Sequence, residues 1–385
     1  MDRANPRWLS MEAASAERFD IAVCTWWETL FDLPKLDAGA YVYFVQSIES
    51  RFYPEEERVT RVAVEATYRS GVGIVTEAHW IAGYLLDTHG QQASIASNGI
   101  DKSIYREDGE RIAPRTPGRL RVLVEGAADV WFKNVPTSVR LAREGGADEV
   151  WLLTTSDIDA LPGADRVFSR VPQEATAPIY RSCDLVLKLS LVEGMFGPPL
   201  EMFHCGGTAI VYDVTGHDEY IRDGYNAMVA RSGDEGDVRH LVASLRGDPA
   251  ALDRLKANAR ETAAAWPDWP ESGRQFHAGL LAAAERSSAG RIELRRLADV
   301  ARDFLNAHWI EMELHGNGQL RQTHERAMEA LRDELNLDPV REELYERIRR
   351  HQALEAELQT ILGSKSWRVT APLRALTGLL HRARQ

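Results

Sequence analysis

The apolar positions along the chain come mostly in short runs bounded by polar or turn-forming residues. Three such runs open the sequence: "FDIAVC" (Phe19–Cys24), "YVYFV" (Tyr41–Val45) and "GVGIVT" (Gly71–Thr76). Helix-period stretches around Glu57–Tyr68 and Trp80–Thr88 separate them. Strands alternating with helices predict a parallel α/β sheet. "SNGIDKSIY" and "REDGERIAPRTPGR" are rich in glycine, proline and charge, and read as a linker.

A second alternating series comes next. Strands are predicted at Leu120–Glu125, Glu149–Thr154, Arg166–Phe168, Leu185–Leu191, Thr208–Tyr212 and Ala227–Ala230. Helices are predicted at Val135–Glu144, Glu174–Ser182, Leu200–Cys205, Asp234–Leu245 and Ala250–Ala264. That is the content of a complete Rossmann-like domain. "WPDWPESGRQFHAGLLAAAER" then gives a turn and a long amphipathic helix.

After Ser288 the strand signal stops, and Arg291–Leu362 reads as helix. Leu344, Ile348, Leu354, Leu358 and Ile361 form an apolar stripe interrupted by His351. Such a stripe suits a homodimer seam or packing on the same chain. The last segment places Leu373, Leu376, Leu379 and Leu380 on one helical face, ringed by basic residues. It suits the surface of an anionic membrane, or docking on an acidic body. The resulting layout is 1–97, a partial N-terminal acceptor-side domain; 98–118, a linker; 119–265, a donor-binding domain; 266–288, a crossover helix; 289–362, a helical or coiled-coil extension; and 363–385, a basic amphipathic tail.

Charge sharpens this picture. The chain's formal net charge is −12, which argues against nucleic acid as a partner. Residues 363–385 carry +5, so the remainder carries −17. No apolar run is long enough for a membrane span, and the N-terminus lacks a signal-peptide core. Cys24, Cys183 and Cys205 have neither metal nor redox spacing, which fits a reducing cytoplasm.

The candidate chemistry lies in "EGMFGPPLE", Glu193–Glu201. A strand before it would place Glu193 at the carboxyl end of a parallel sheet, where open α/β sheets bind ligands. Gly194 and Gly197 allow close backbone approach, and Pro198-Pro199 suit a first helical turn. Amides at a helix N-terminus favour anions or sugar hydroxyls. Glu201 in that turn could accept two hydrogen bonds from a ribose diol, or merely complement the helix dipole.

"EGMFGPPLEMFHCGGTAIVYDVTGHDEYIRDGYNAMV" resembles the donor-site motif of family 4 retaining glycosyltransferases of the GT-B fold. Glu193 and Glu201 have that family's spacing. Cys205-Gly206-Gly207, Asp213, Gly216, Glu219, Asp223, Gly224 and Asn226 match the remainder of the motif. The resemblance implies two Rossmann-like domains, the N-terminal one apparently shortened, plus a helical C-terminal extension. It implies that Glu193 and the amides of Met195, Phe196 and Gly197 hold the donor sugar, and that Glu201 holds the ribose. Lys133, near Gly126 in "EGAADVWFKNV", matches the family's diphosphate lysine; Glu125-Gly126 occupies the region of its usual arginine. Lys188 is a further phosphate or sugar candidate.

"YVYFVQSIESRFYP" and "ATYRSGVGIVTEAHWIAGYL" resemble bacterial rhamnosyltransferases of cell-surface glycans. The implied substrates are a nucleotide sugar, with dTDP-rhamnose favoured, and a glycan or lipid-linked glycan acceptor. Catalysis would need neither cofactor nor metal. The implied location is cytoplasmic, including the inner face of the plasma membrane. Gln46, Glu49, Glu77, His79 and Trp26-Trp27-Glu28 fall near strand ends of the first domain and are acceptor-side candidates. Two competing expectations are a truncated, non-catalytic sugar-nucleotide-binding or assembly subunit, and a nucleotide-sugar epimerase.

Overall fold

Two parallel sheets form because the apolar runs are buried on both faces, which favours strands covered by helices. The computed structural model describes residues 6–316. The leucine stripe at 344–361 and the basic tail at 363–385 lie outside the described residues.

The first sheet comes from α1 (Met11–Ser15), β1 (Arg18–Cys24), α2 (Trp27–Leu30), β2 (Asp37–Val45), α3 (Arg58–Thr67), β3 (Gly73–Thr76), α4 (His79–His89) and β4 (Ala93–Ile95). Its strand order is β1-β2-β3-β4, all parallel. Three strands are expected from the sequence, but the structure has four. β4 is three residues of Ala-Ser-Ile at a sheet edge, half-covered, with no apolar run to announce it.

A sheet whose strands succeed one another in a single direction receives its right-handed crossovers on one face. That face buries Tyr41, Tyr43, Val45 and Ile74 against Trp27, Val64, Ile81 and Leu85. The alternate residues Val42, Phe44 and Val75 point the other way, and their cover comes from far along the chain. Helix α10 (Trp269–Arg286) lies there, contributing Phe276, Leu280, Ala283 and Ala284. Helix α11 (Arg291–Gly316) returns to the first face with Leu294, Leu297, Ala298 and Ala301.

The second sheet is built from β5 (Arg121–Glu125), α5 (Val135–Glu144), β6 (Glu149–Thr154), β7 (Arg166–Ser169), α6 (Gln173–Ser182), β8 (Leu185–Lys188), α7 (Gly197–His204), β9 (Thr208–Tyr212), β10 (Met228–Ala230), α8 (Glu235–Gly247) and α9 (Pro249–Ala265). Its order, β10-β9-β8-β5-β6-β7, is the doubly wound arrangement with its reversal between β5 and β8. Leu123, Trp151, Val186 and Val211 face one core; Val122, Val124, Leu152, Leu187 and Ile210 face the other. Two sequence-predicted boundaries move by three residues. β8 stops at Lys188 instead of running to Leu191, and α7 begins at Gly197 instead of Leu200. Pro198 and Pro199 are therefore inside the first turn of α7, where their missing N–H groups cost nothing.

The linker at 98–118 is stitched to the second sheet's domain rather than loose. Arg181 donates to the carbonyls of Ile104, Arg106 and Glu110, and Arg115 to those of Cys205 and Gly206. Cys24, Cys183 and Cys205 are buried and unpaired. No helix among the described residues is long and apolar enough to cross a membrane.

The α10 cover makes one sharp demand. A Cβ on Gly73 would run into the backbone carbonyl of Ala283. Gly73→Ala should therefore force α10 off the sheet and destabilise the chain by about 2–3 kcal/mol, as overpacking does, read as a lowered denaturant midpoint.

Candidate functional site

The reversal point of the second sheet opens a crevice between the loops beyond β5 and β8. Those loops are bonded to each other. Leu191 N–H donates to Phe132 O (2.8 Å), and Asn134 Nδ2 donates to Leu189 O (3.2 Å). Lys133 sits between these two anchors, in the short 3-10 turn Trp131–Lys133, before Asn134 adopts φ 53°. Gly126, which opens the loop, has φ 147°, a region that glycine alone enters readily.

Four charged side chains meet in this crevice. Glu125 and Lys188 are the last residues of β5 and β8, and Lys133 and Glu193 come from the loops beyond. Lys133 Nζ lies 2.9 and 3.0 Å from the two carboxylate oxygens of Glu193. Lys188 Nζ lies 2.8 Å from Glu125 Oε2 and 3.3 Å from Glu193 Oε1. The order Glu125, Lys188, Glu193, Lys133 alternates in sign and sums to zero. Lys188 is 2% exposed at its side chain and Glu193 8%, whereas Lys133 is 26% exposed. Burial works to raise the Glu193 pKa, but Lys188 and Lys133 outweigh it and hold the carboxyl below its ordinary value. For Lys188, burial works to lower the pKa, and Glu125 with Glu193 reverses that and raises it.

Because α7 starts at Gly197, Glu201 is its fifth residue and lies beyond the first turn where the sequence placed it, beside Tyr180 and Tyr105. Burial raises its pKa, and the charge of Glu125 adds to the rise. The hydroxyls of Tyr180 and Tyr105 work in the opposite direction. Phe196 is fully buried, and its carbonyl accepts from the Tyr220 hydroxyl.

The first sheet presses directly on this loop. Glu77, just past β3, accepts from Met195 N–H (2.9 Å) with one oxygen and from Asn98 Nδ2 (2.6 Å) with the other. Trp80 Nε1 donates to Gly194 O (2.8 Å), and Arg51 to Thr215 Oγ1 (2.8 Å). Glu219 takes the Trp80 N–H and pairs with His79 at 2.9 Å. A Cβ on Gly194 would strike the Gln46 carbonyl and the Glu77 carboxylate, so only glycine fits between the two sheets.

Among the acceptor-side candidates, the structure thus brings Glu77 to the loop between β8 and α7, while His79 meets Glu219 beyond β9. The Gln46 side chain instead donates to Thr25 O (3.1 Å). Glu49 is 1% exposed and faces the core of the first sheet, not a cleft. One of its oxygens accepts from both Trp27 N–H and the Tyr43 hydroxyl, each at 2.8 Å. Trp27 is core as well, while Trp26 stacks on Phe52 and Phe52 on Phe132. Sequence reasoning missed Glu125 as a site residue; the signal was an acid ending an otherwise apolar strand. Among the described residues, no group of three acidic, histidine or cysteine side chains is arranged to hold a metal ion.

Comparison with known proteins agrees with this layout. Residues 156–262 match the family model of glycosyl transferases group 1. The O-antigen biosynthesis protein RfbC of Myxococcus xanthus is 24% identical over 259 residues, which is 63% of this chain and 19% of that protein. The chain therefore spans about a fifth of that relative. Sucrose-phosphate synthase of Thermosynechococcus elongatus superposes with a TM-score of 0.57 at 17% identity, over 69% of this chain and 74% of that one. Anabaena Alr3699/HepE, solved with UDP and glucose, gives a TM-score of 0.57 at 14% identity, over 71% and 80%. The fold is that of GT-B glycosyltransferases.

Burial raises the Glu49 pKa to about 7, against lowering by its two hydrogen bonds. A carboxyl raised on folding stabilises the chain below its unfolded pKa, and that contribution is lost as pH rises through the folded value. A glutamine oxygen can keep both bonds without ionising. Wild type should thus lose stability relative to Glu49→Gln between pH 5 and 8, by roughly 1–3 kcal/mol, in paired denaturation curves.

Proposed function

We propose that this chain is a glycosyltransferase that moves a sugar from a nucleoside-diphosphate donor to a glycan acceptor. The carrying observation is the Lys133–Glu193 pair at the reversal point of the second sheet. A cation for phosphate and a carboxylate for sugar hydroxyls stand side by side there, next to the N-terminus of α7. The match to glycosyl transferases group 1 over 156–262 supports the same reading. So does the likeness of the fold to a protein solved with UDP and glucose. The similarity to an O-antigen biosynthesis protein favours a cell-surface glycan as product.

In this reading the diphosphate lies against Lys133 and the positive end of α7, where Gly197 carries the N–H that Pro198 and Pro199 lack, and these stabilise charge as the sugar–phosphate bond breaks. Glu193, with the N–H groups of Phe196 and Gly197, orients the sugar and favours an oxocarbenium-like state, the Met195 N–H being taken by Glu77 and the Gly194 carbonyl by Trp80. Glu201 takes the ribose diol, within a cradle that Tyr105 and Tyr180 border. The acceptor hydroxyl attacks from the face the diphosphate leaves, and a phosphate oxygen takes its proton, so configuration is retained. The front-half resemblance favours dTDP-rhamnose as donor. The basic residues at 363–385 would bring the protein to an anionic membrane, and the leucine stripe at 344–361 would join two copies.

Two measurements check this. Melting temperature with UDP-glucose, dTDP-rhamnose and GDP-mannose should rise with one of them, and a rise with none would overturn the assignment. Glu193→Gln should cut donor turnover by about 10²–10³-fold, as loss of a group aimed at developing charge does. Full turnover in that variant would remove Glu193 from the mechanism.

A further inference from the structure

Lys133 faces two demands in the proposed function. It must bind the donor diphosphate, yet here both its hydrogen bonds go to Glu193. Donor binding therefore takes Lys133 from a carboxylate that is almost wholly buried. An abandoned buried carboxylate would normally take up a proton, and a protonated Glu193 is a poorer acceptor for sugar hydroxyls.

The structure supplies a second cation, Lys188, whose burial and two carboxylate partners set it apart from the phosphate or sugar contact expected of it from the sequence. Lys188 ends β8, where it pairs in register with Val211 of β9. Its ammonium lies beneath Glu193, nearly sealed from solvent, and is held from the far side by Glu125. The more exposed Lys133 is the one positioned to change partner. We infer that Lys188 is a positioning residue: it keeps Glu193 ionised while Lys133 moves to the donor phosphate, so that donor binding proceeds without proton uptake. This rests on the nucleotide-sugar reading.

Lys133, Lys188, Glu125, Glu77 and Tyr220 surround Glu193, and Glu201 feels the charges of Glu125 and Lys188. Lys133 and Lys188 favour its charged form. Glu125 approaches through Lys188, and Glu77 lies across the loop with its own pKa raised by burial to about 7. The Tyr220 hydroxyl is committed to Phe196 O. The Tyr220 proton is the same in wild type and in Lys188 variants; the charge of Glu193 helps to raise the Glu77 pKa, so Glu77, mostly ionised at pH 7.5, offsets only a fraction of a proton in the comparison. Removing Lys188 leaves Glu125 and Glu193 as like charges once Lys133 departs, and a proton is then the remaining means of relieving them.

The test counts protons. The probe is whichever of UDP-glucose, dTDP-rhamnose and GDP-mannose raises the melting temperature most, since its diphosphate does not titrate near neutrality. Calorimetric titrations in two buffers of different ionisation enthalpy give the protons taken up per donor bound. Lys188→Met should take up close to one more proton than wild type at pH 7.5. Its affinity should fall up to tenfold per pH unit more steeply than that of wild type as pH rises. Glu125→Gln/Lys188→Met, which removes both buried partners, should behave likewise and serves if the single variant does not fold. Wild-type proton counts in both variants, with native circular dichroism, would overturn the inference while leaving the nucleotide-sugar reading intact. Binding of none of the three sugars by wild type would overturn both.

Discussion

A carboxylate taken out of water keeps its charge only where cations meet it, and Glu193 is met by two. The ends of β5 and β8, the bonded loops beyond them and the start of α7 all serve that meeting. Placing four charges in alternating order lets each attraction offset part of the desolvation cost, which a lone buried ion could not do. The arrangement depends on the doubly wound order. Only at its reversal do two neighbouring strands send their outgoing loops apart and leave a crevice between them.

The second constraint is the close fit of the first sheet on the loop between β8 and α7. Gly194 admits no side chain there, Met195 is bonded to Glu77 between β3 and α4, and Gly194 O and Glu219 are bonded to Trp80 of α4. The loop backbone is thus shaped jointly by residues more than a hundred positions apart. Its geometry belongs to the closed pair of sheets rather than to the second sheet alone.

Much of this was legible in the sequence, for identifiable reasons. Strands buried on both faces leave uninterrupted apolar runs, so nearly all of the second sheet could be read. The glutamate spacing around Gly-Pro-Pro marked the loop between β8 and α7. What stayed hidden has no local signature. β4 is too short and too ordinary to stand out. Glu49 and Glu77 look alike as acids after strands, yet one bonds inward to Trp27 and Tyr43 and the other outward to Met195. The three-residue overestimate of β8 had a cost for the site, because it concealed that Lys188 is a strand's last residue and so a floor beneath Glu193.

The cover of the first sheet carries a consequence for how the chain is made. Strands β1 to β4 leave the ribosome early, but the helix that hides Val42, Phe44 and Val75 ends at Arg286. At typical rates of synthesis the nascent sheet would wait roughly 10–40 s for it, while the second sheet is completed in between. Of the two sheets, the one translated earlier is thus the one finished later. Until then its bare apolar face is a surface that the cell's chaperones, or another nascent chain, can find.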